Sequence, residues 1–231
     1  MKPVLAFIAG ACLAICGALS PAYAEIDVQE ITSEGGITAW LVEEHSIPFT
    51  ALELRFKGGT SLDRLGKRGE TNLMMATLEE GAGTLNAQEF AKARDRLAAS
   101  FDFEAFTDSV TISARFLTEN RDEAMALLRS AIIEPQFDPV AIDRVRGQVQ
   151  SVIDADATSP NDIASLTLNT IAFGDHPYGT SSNGTLESVA GLTPDDMSVA
   201  LSRAMVKDRL FVSAVGDITG PELSLLLDRL L

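Results

Sequence analysis

The sequence predicts an α+β fold, with a single mostly antiparallel sheet covered by helices. Three observations carry this. Residues 37–56 and 101–116 each contain strand pairs in which apolar and polar residues alternate with period two. The segments after each pair carry apolar residues at helical spacing, and a third apolar strand, LFVSAVGD, arrives only near residue 210. No tandem repeat or low-complexity linker interrupts this order.

Residues 1–24, MKPVLAFIAGACLAICGALSPAYA, precede the sheet. They combine Lys2, an apolar run over residues 4–19 and the small-x-small site Ala22-Tyr23-Ala24, the pattern of a secretory signal peptide cleaved after Ala24. The apolar run is too short for a membrane anchor, and no stop-transfer pattern follows. Both cysteines, Cys12 and Cys16, fall inside it. Cys16 follows Ile15 rather than a small residue, and Cys12 lacks a bulky aliphatic three positions earlier, so neither fits a lipidation site. The mature chain, residues 25–231, is therefore expected to be an exported, disulfide-free periplasmic protein that is not held at a membrane. Its length allows one large domain or two small ones. A formal net charge of −15, from 18 basic and 33 acidic residues, argues against nucleic acid or anionic lipid as a partner. The acids are dispersed, as on a solubilising surface.

In residues 37–56, Leu52, Leu54 and Phe56 share one face and Glu53, Arg55 and Lys57 the other, which predicts a two-stranded antiparallel unit turning at residues 45–48. Gly58-Gly59 ends it. The polar loop SLDRLGKRG leads to a helix over about 70–80, closed by Gly81 and Gly83. Asn86 with Glu89 forms a capping box for a helix to about residue 99, with Phe90, Ala93 and Leu97 inward. A hairpin follows, turning at Thr107-Asp108, with Val110, Ile112, Ala114 and Phe116 on one face. Ala124, Leu127, Leu128 and Ala131 mark a helix over 120–132 that Pro135 stops. Asp138-Pro139 opens a helix to about residue 157 whose inward residues are Ile142, Val145, Val149, Val152 and Ile153. Another helix covers 160–173 before the loop GDHPYGTSSNGT, and Thr193-Pro194 with Asp196 caps one more. After the strand at 210, GPELSLLLDRLL begins a helix with nothing further in the chain to pack against, which suggests a piece of a longer protein.

The residues offer little chemistry of their own. His45 and His176 are the only histidines, far apart in sequence and both in loops, whereas a hydrolytic zinc site commonly needs two histidines one helical turn apart plus a carboxylate. A metal site could arise here only if His45, His176 and acids met in space. No GxSxG elbow places a serine beside a base. Glu79 and Glu80 are adjacent on a helix and point in different directions, which does not suit an acid/base pair. The glycines at 58, 59, 81 and 83 lack the spacing of a phosphate loop.

Five segments in order nevertheless resemble the pitrilysin/insulinase-type metallopeptidases, the inverzincin group that includes the mitochondrial processing peptidase: GITAWLVEEHSIPFTALELRFKGGTSLD, GETNLMMATLEEGAG, RDEAMALLRSAIIEPQFD, HPYGTSSNGTLESVAGLT and LFVSAVGDI. The resemblance implies the metallohydrolase domain fold of that family over residues 25–231, with a second homologous half missing beyond Leu231. It also implies a site. Active members carry HxxEH on the helix after the first strands, two zinc-binding histidines with a glutamate base between them, and a glutamate ligand on a later helix. Aligned on Gly69, those positions hold Asn72, Met75 and Ala76, and the later ligand falls near Gln150, with Asp154 the nearest acid downstream. Methionine cannot deprotonate water, and neutral amides and an alanine methyl are poor zinc ligands. The resemblance thus implies a non-catalytic member without a cofactor, the subunit that binds peptide substrate and pairs with a zinc-bearing homologue. A zinc metalloendopeptidase with a non-standard site and a stand-alone periplasmic peptide-binding protein are the alternatives.

Overall fold

The computed structural model describes residues 27–231, so the signal-peptide reading of residues 1–24 lies outside the described residues. The strands are β1 (Gln29–Thr32), β2 (Thr38–Glu43), β3 (Phe49–Lys57), β4 (Gly81–Ala82), β5 (Leu85–Asn86), β6 (Ser100–Ala105), β7 (Ser109–Leu117) and β8 (Leu210–Gly216). Six of them form one sheet in the order β1-β2-β8-β3-β7-β6, while β4 and β5 make a small separate ribbon. Within the sheet only β2 and β8 run parallel. The predicted fold class, one mostly antiparallel sheet with helices, is the fold observed.

One pairing differs from expectation. β2 and β3 are not hydrogen-bonded to each other, because β8 lies between them: Leu41 faces Ala214, which faces Leu52. Period-two alternation reports which face of a sheet a residue takes and says nothing about which strand is its neighbour. The connection after β2 therefore arches over the end of β8 instead of closing a hairpin. Glu44 N donates to Gly216 O at 2.9 Å, and Asp217 N donates to Phe49 O at 2.9 Å. The approach is so close that a Cβ on Gly216 would stand 2.2 Å from Phe49 O, and its φ of +132° is one that side chains disfavour.

His45 sits at the top of this arch. Its Nδ1 is 2.7 Å from Asp217 Oδ1 and its Nε2 3.4 Å from Glu43 Oε2, while Thr118 Oγ1 donates to Asp217 Oδ2 at 2.7 Å. The hydrogen bond to Asp217, seconded by Glu43, raises the His45 pKa; the same bond and that from Thr118 lower the Asp217 pKa.

Leu41, Leu54, Phe56, Val110, Ile112 and Phe116 bury one face of the sheet under the helices. The other face is open, with Trp40, Arg55, Arg115, Phe211 and Val215 exposed. The helix behind β3, α1 (Glu70–Thr77), sends Leu73, Met74 and Met75 into the core. α2 (Ala87–Arg96) starts at the Asn86/Glu89 capping box, and α3 (Arg121–Ile133) buries Ala124, Leu127, Leu128 and Ala131, both as the spacing predicts. α4 (Pro139–Asp156) is capped by Asp138 and buries Ile142, Val145 and Val149, but its last turns run past the core. Val152, expected inward, is exposed there, and Ile153 is only partly covered. α5 (Pro160–Phe173) buries none of its residues. α6 (Leu186–Ala190), α7 (Pro194–Ala204) and α8 (Gly220–Leu230) complete the chain. The last helix does have a packing surface, contrary to expectation: Leu223, Leu226, Leu227 and Leu230 are buried, and the helix lies against α3 and β1.

Two outcomes test the arch. Gly216→Ala should lower stability by about 2–4 kcal/mol in urea unfolding, since both the contact and the backbone conformation oppose a side chain. His45 should titrate above 6.5 by NMR, and Asp217→Asn should bring it back towards that value. The histidine's stabilising contribution is complete below its unfolded pKa and disappears as pH rises through the raised folded value; that of Asp217 is present above 3.8 and disappears as pH falls through its depressed value. The pair therefore stabilises most strongly between the two.

Candidate functional site

The loop SLDRLGKRG, read from sequence as a polar connection, builds the N-terminus of α1. Gly69, at φ +92°, provides the left-handed turn into the helix but no capping side chain. Asp63 does the capping, accepting from Gly69 N at 2.8 Å and from Thr71 N at 3.1 Å. Burial pushes the Asp63 carboxyl up, against these bonds and the neighbouring Arg68. Glu70, 1% exposed, accepts from Arg64 through its backbone N at 2.7 Å, Nε at 2.9 Å and Nη2 at 2.5 Å. The same Nη2 reaches Asp196 at 2.6 Å, and Lys67 Nζ reaches the other Asp196 oxygen at 2.9 Å. Asp196 also closes the capping box of α7 with Thr193. Burial works against its ionisation, but Lys67, Thr193 and Arg64 together hold its carboxyl well below the usual range.

Arg68 turns the other way and grips the loop after α5. Its Nε donates to Ser181 O at 3.0 Å, its Nη2 to Pro177 O at 3.0 Å, and its Nη1 to Thr60 O. In return Ser188 Oγ donates to Arg68 O at 2.7 Å. The two backbones touch: a Cβ on Gly69 would meet Asn183 O at 2.6 Å, and one on Gly184 would meet Arg68 O at 2.3 Å. Sequence reasoning missed this hub. A pointer was available, since three of the chain's 18 cations fall at positions 64, 67 and 68 of a strongly acidic protein.

The positions implied as metal site lie on and beside α1. Asn72 is half-buried and donates from Nδ2 to Asn183 Oδ1 at 3.1 Å; Asn183 in turn donates to Asp156 Oδ2 at 3.3 Å. Met75 is packed in the core at 1% exposure, Ala76 is exposed, and Gln150 is half-buried on α4, which packs against α1. A zinc ion does not fit these residues, because one amide is already engaged, the thioether is buried and the third side chain is a methyl. Among the described residues no group of three histidine, cysteine or carboxylate side chains is placed to hold a metal.

The two histidines do not meet. His45 is held by Asp217 and Glu43 beside the start of β3. His176 Nδ1 accepts from Tyr178 N at 3.2 Å, and its ring lies edge-on to Tyr178 with centroids 4.5 Å apart. Tyr178 Oη donates to Asp108 at 2.5 Å, and Asp108 O accepts from Gly58 N just past the end of β3. The nine residues of β3, a span of roughly 26 Å, therefore separate the two histidine environments. Glu79 and Glu80 are likewise not an acid/base pair, since each has its own arginine, Arg94 and Arg144 respectively.

What the hub does shape is a cleft of about 800 Å³ next to α1. Ile153 and Asp156 of α4, Ile163 and Leu166 of α5, and Tyr178 and Asn183 of the following loop line it. The Asn72–Asn183–Asp156 hydrogen bonds thus connect the helix that bears the implied metal positions to the wall of an open cavity.

This domain, with one mostly antiparallel sheet and a helix behind β3 on which the positions implied as metal ligands and base hold an amide, a thioether and a methyl, defines a class. Residues 39–186, more than half the chain, match the family described as Insulinase (Peptidase family M16). The chain belongs to that family, as the resemblance implied. Similar proteins include the non-peptidase homolog YmxG of Helicobacter pylori, 28% identical over 176 residues that cover 76% of this chain and 41% of that protein. The uncharacterized zinc protease YmxG of Bacillus subtilis is 20% identical over 192 residues, 83% of this chain and 47% of that one. Among solved structures, a peptidase M16 inactive domain from Pseudomonas fluorescens superposes with a TM-score of 0.83 at 25% identity, covering 88% of this chain and 50% of that one. The first half of the periplasmic protease PqqL from Escherichia coli, 15% identical, gives a TM-score of 0.74 over 87% of this chain and 45% of its own length, a likeness of fold. The chain spans about half the length of these relatives.

The hub gives a pH signature. Because Asp196 has a depressed folded pKa, its contribution is present above 3.8, its ordinary value, and fades as pH falls through the lower one. Urea midpoints of the wild type and Asp196→Asn should therefore differ most above about pH 4 and converge on further acidification.

Proposed function

We propose that this chain is a catalytically inactive member of the insulinase family, exported to the periplasm, that binds peptide and works beside a zinc-bearing homologous subunit. The observation that carries the proposal is α1 itself. The turn at Gly69, the Asp63 cap and the Glu70–Arg64 pair hold the helix in place, yet the positions that resemble ligand and base are Asn72, Met75 and Ala76. Such a helix can support a cavity wall but cannot activate water. The names of two similar proteins, a non-peptidase homolog and an inactive domain, support the same reading. So does the chain's correspondence to about half of the inactive-domain structure and about a quarter of PqqL, which suits pairing with a second homologous unit. A stand-alone peptide-binding protein is the second reading, favoured by the cleft of about 800 Å³ that α4, α5 and the following loop form.

The purified protein, with Glu25 as its first residue by mass spectrometry, should carry no stoichiometric zinc and show no chelator-sensitive peptidase activity alone. Mixing it with an HxxEH-bearing homologue encoded beside it should raise that homologue's activity. Chelator-sensitive hydrolysis by this chain alone overturns the reading. Peptide binding without any effect on the homologue favours the stand-alone alternative.

A further inference from the structure

We propose that the corner of the sheet where β3 ends and β8 begins binds a small soluble phosphate-bearing anion, a phosphate ester or diphosphate, through Lys57, Arg203, Lys207 and Arg209. The inference is independent of peptide binding and of any partner subunit.

This acidic chain uses most of its cations in ion pairs, as at Arg64, Arg68, Arg94 and Arg144. Among the described residues Lys57, Arg203, Lys207 and Arg209 have no such partner, and the fold gathers these four in one place. Phe56 faces Leu210 across the β3–β8 pair, so the 3-10 turn Lys207–Arg209 lies beside Lys57. Gly58 leaves the space for a guanidinium: a Cβ there would stand 2.7 Å from Arg209 Nη1 and 2.6 Å from Leu62 Cδ1. Arg209 Nη2 donates to Arg203 O, and Arg203 Nη2 donates to Leu62 O at 2.9 Å.

Both guanidinium groups are thus held by carbonyl oxygens, which fix their direction without cancelling their charge. Arg68, Arg129 and Arg146 also donate to backbone carbonyls, but each has a carboxylate as well, in Asp63, Glu134 and Asp143. Lys57 Nζ stands 4.6 Å from the centre of the Phe211 ring, a contact that attracts an ammonium but leaves its charge uncompensated. Asp208, the one acid within the turn, forms an ion pair with none of the four. The corner is therefore oriented in advance and lacks only its counter-charge, which limits the ordering cost on binding.

The number of cations selects the ligand. A phosphate monoester carries about −1.5 to −2 at pH 7 on three oxygens that suit the planar guanidinium fork, whereas a lone carboxylate would leave most of the four unanswered. The formal net charge of −15 argues against long polyanions and anionic membranes. It does not oppose a small anion, because screening over roughly 8 Å at physiological ionic strength leaves the ligand to the cations beside it rather than to distant acids.

Inorganic pyrophosphate, titrated calorimetrically into the mature protein at low ionic strength without divalent cations, should bind saturably at one site and weaken as salt is added. Lys207→Glu should weaken it roughly tenfold and Lys57→Gln roughly threefold. Both side chains are exposed and unpaired, so thermal melting should be unchanged in either variant. Lys92→Gln, which removes an exposed cation from α2, should leave the affinity as it was. No saturable binding, indifference to both corner variants, or an equal loss with Lys92→Gln overturns the proposal. So does tighter binding of hexaglutamate than of pyrophosphate, which makes the corner a docking surface for acidic protein segments. Co-sedimentation with phosphatidic acid vesicles that is lost in Lys207→Glu overturns it in favour of a lipid headgroup.

Discussion

The fold around α1 depends on a carboxylate that water hardly touches. Glu70 is buried at the first position of the helix, and the hydrogen bonds from Arg64 make its charge tolerable there. Arg64 is in turn fixed by Asp196, Asp196 by Lys67, and through its capping box Asp196 starts α7. One loop therefore sets the positions of two helices distant in sequence. Removing Arg64 leaves Glu70 buried without its cation and takes from Asp196 one of its two, so the members are coupled through this one guanidinium.

This arrangement separates holding a site from operating it. In a zinc enzyme the metal itself would tie neighbouring helices together. Here the ties are made by amides and ion pairs: Asn72 reaches Asn183, and Asn183 reaches Asp156 at the end of α4. Such bonds need no cofactor. They keep the cleft wall in register with α1 although the side chains nearest it are an amide, a buried thioether and a methyl.

Much of this was legible in the sequence, for local reasons. The capping boxes at Asn86 and Thr193, the Asp138-Pro139 start and the β6–β7 hairpin depend on residues a few positions apart and appear where their spacing places them. The framework of the candidate site was legible only through resemblance, since Asn72, Met75 and Ala76 carry no chemistry to notice. The Arg64–Glu70–Asp196 hub was not legible, because one partner lies 132 residues away. Nor was the exposure of α5 and Val152. Helical spacing shows that a face is apolar, but whether another element lies against it is decided by the whole fold.

The central place of β8 bears on how the protein comes into being. The strand that fills the gap between β2 and β3 is supplied by residues 210–216, about two thirds of the chain after the strands it joins. Until those residues are available, β2 and β3 each present an unpaired edge, and the parallel β2–β8 pairing is of the slow, non-local kind. Under the proposed export, the chain would spend that interval with two adhesive edges on display, exposed to aggregation. Holding factors outside the membrane, rather than the chain's own local structure, would then set how much of it reaches the folded state.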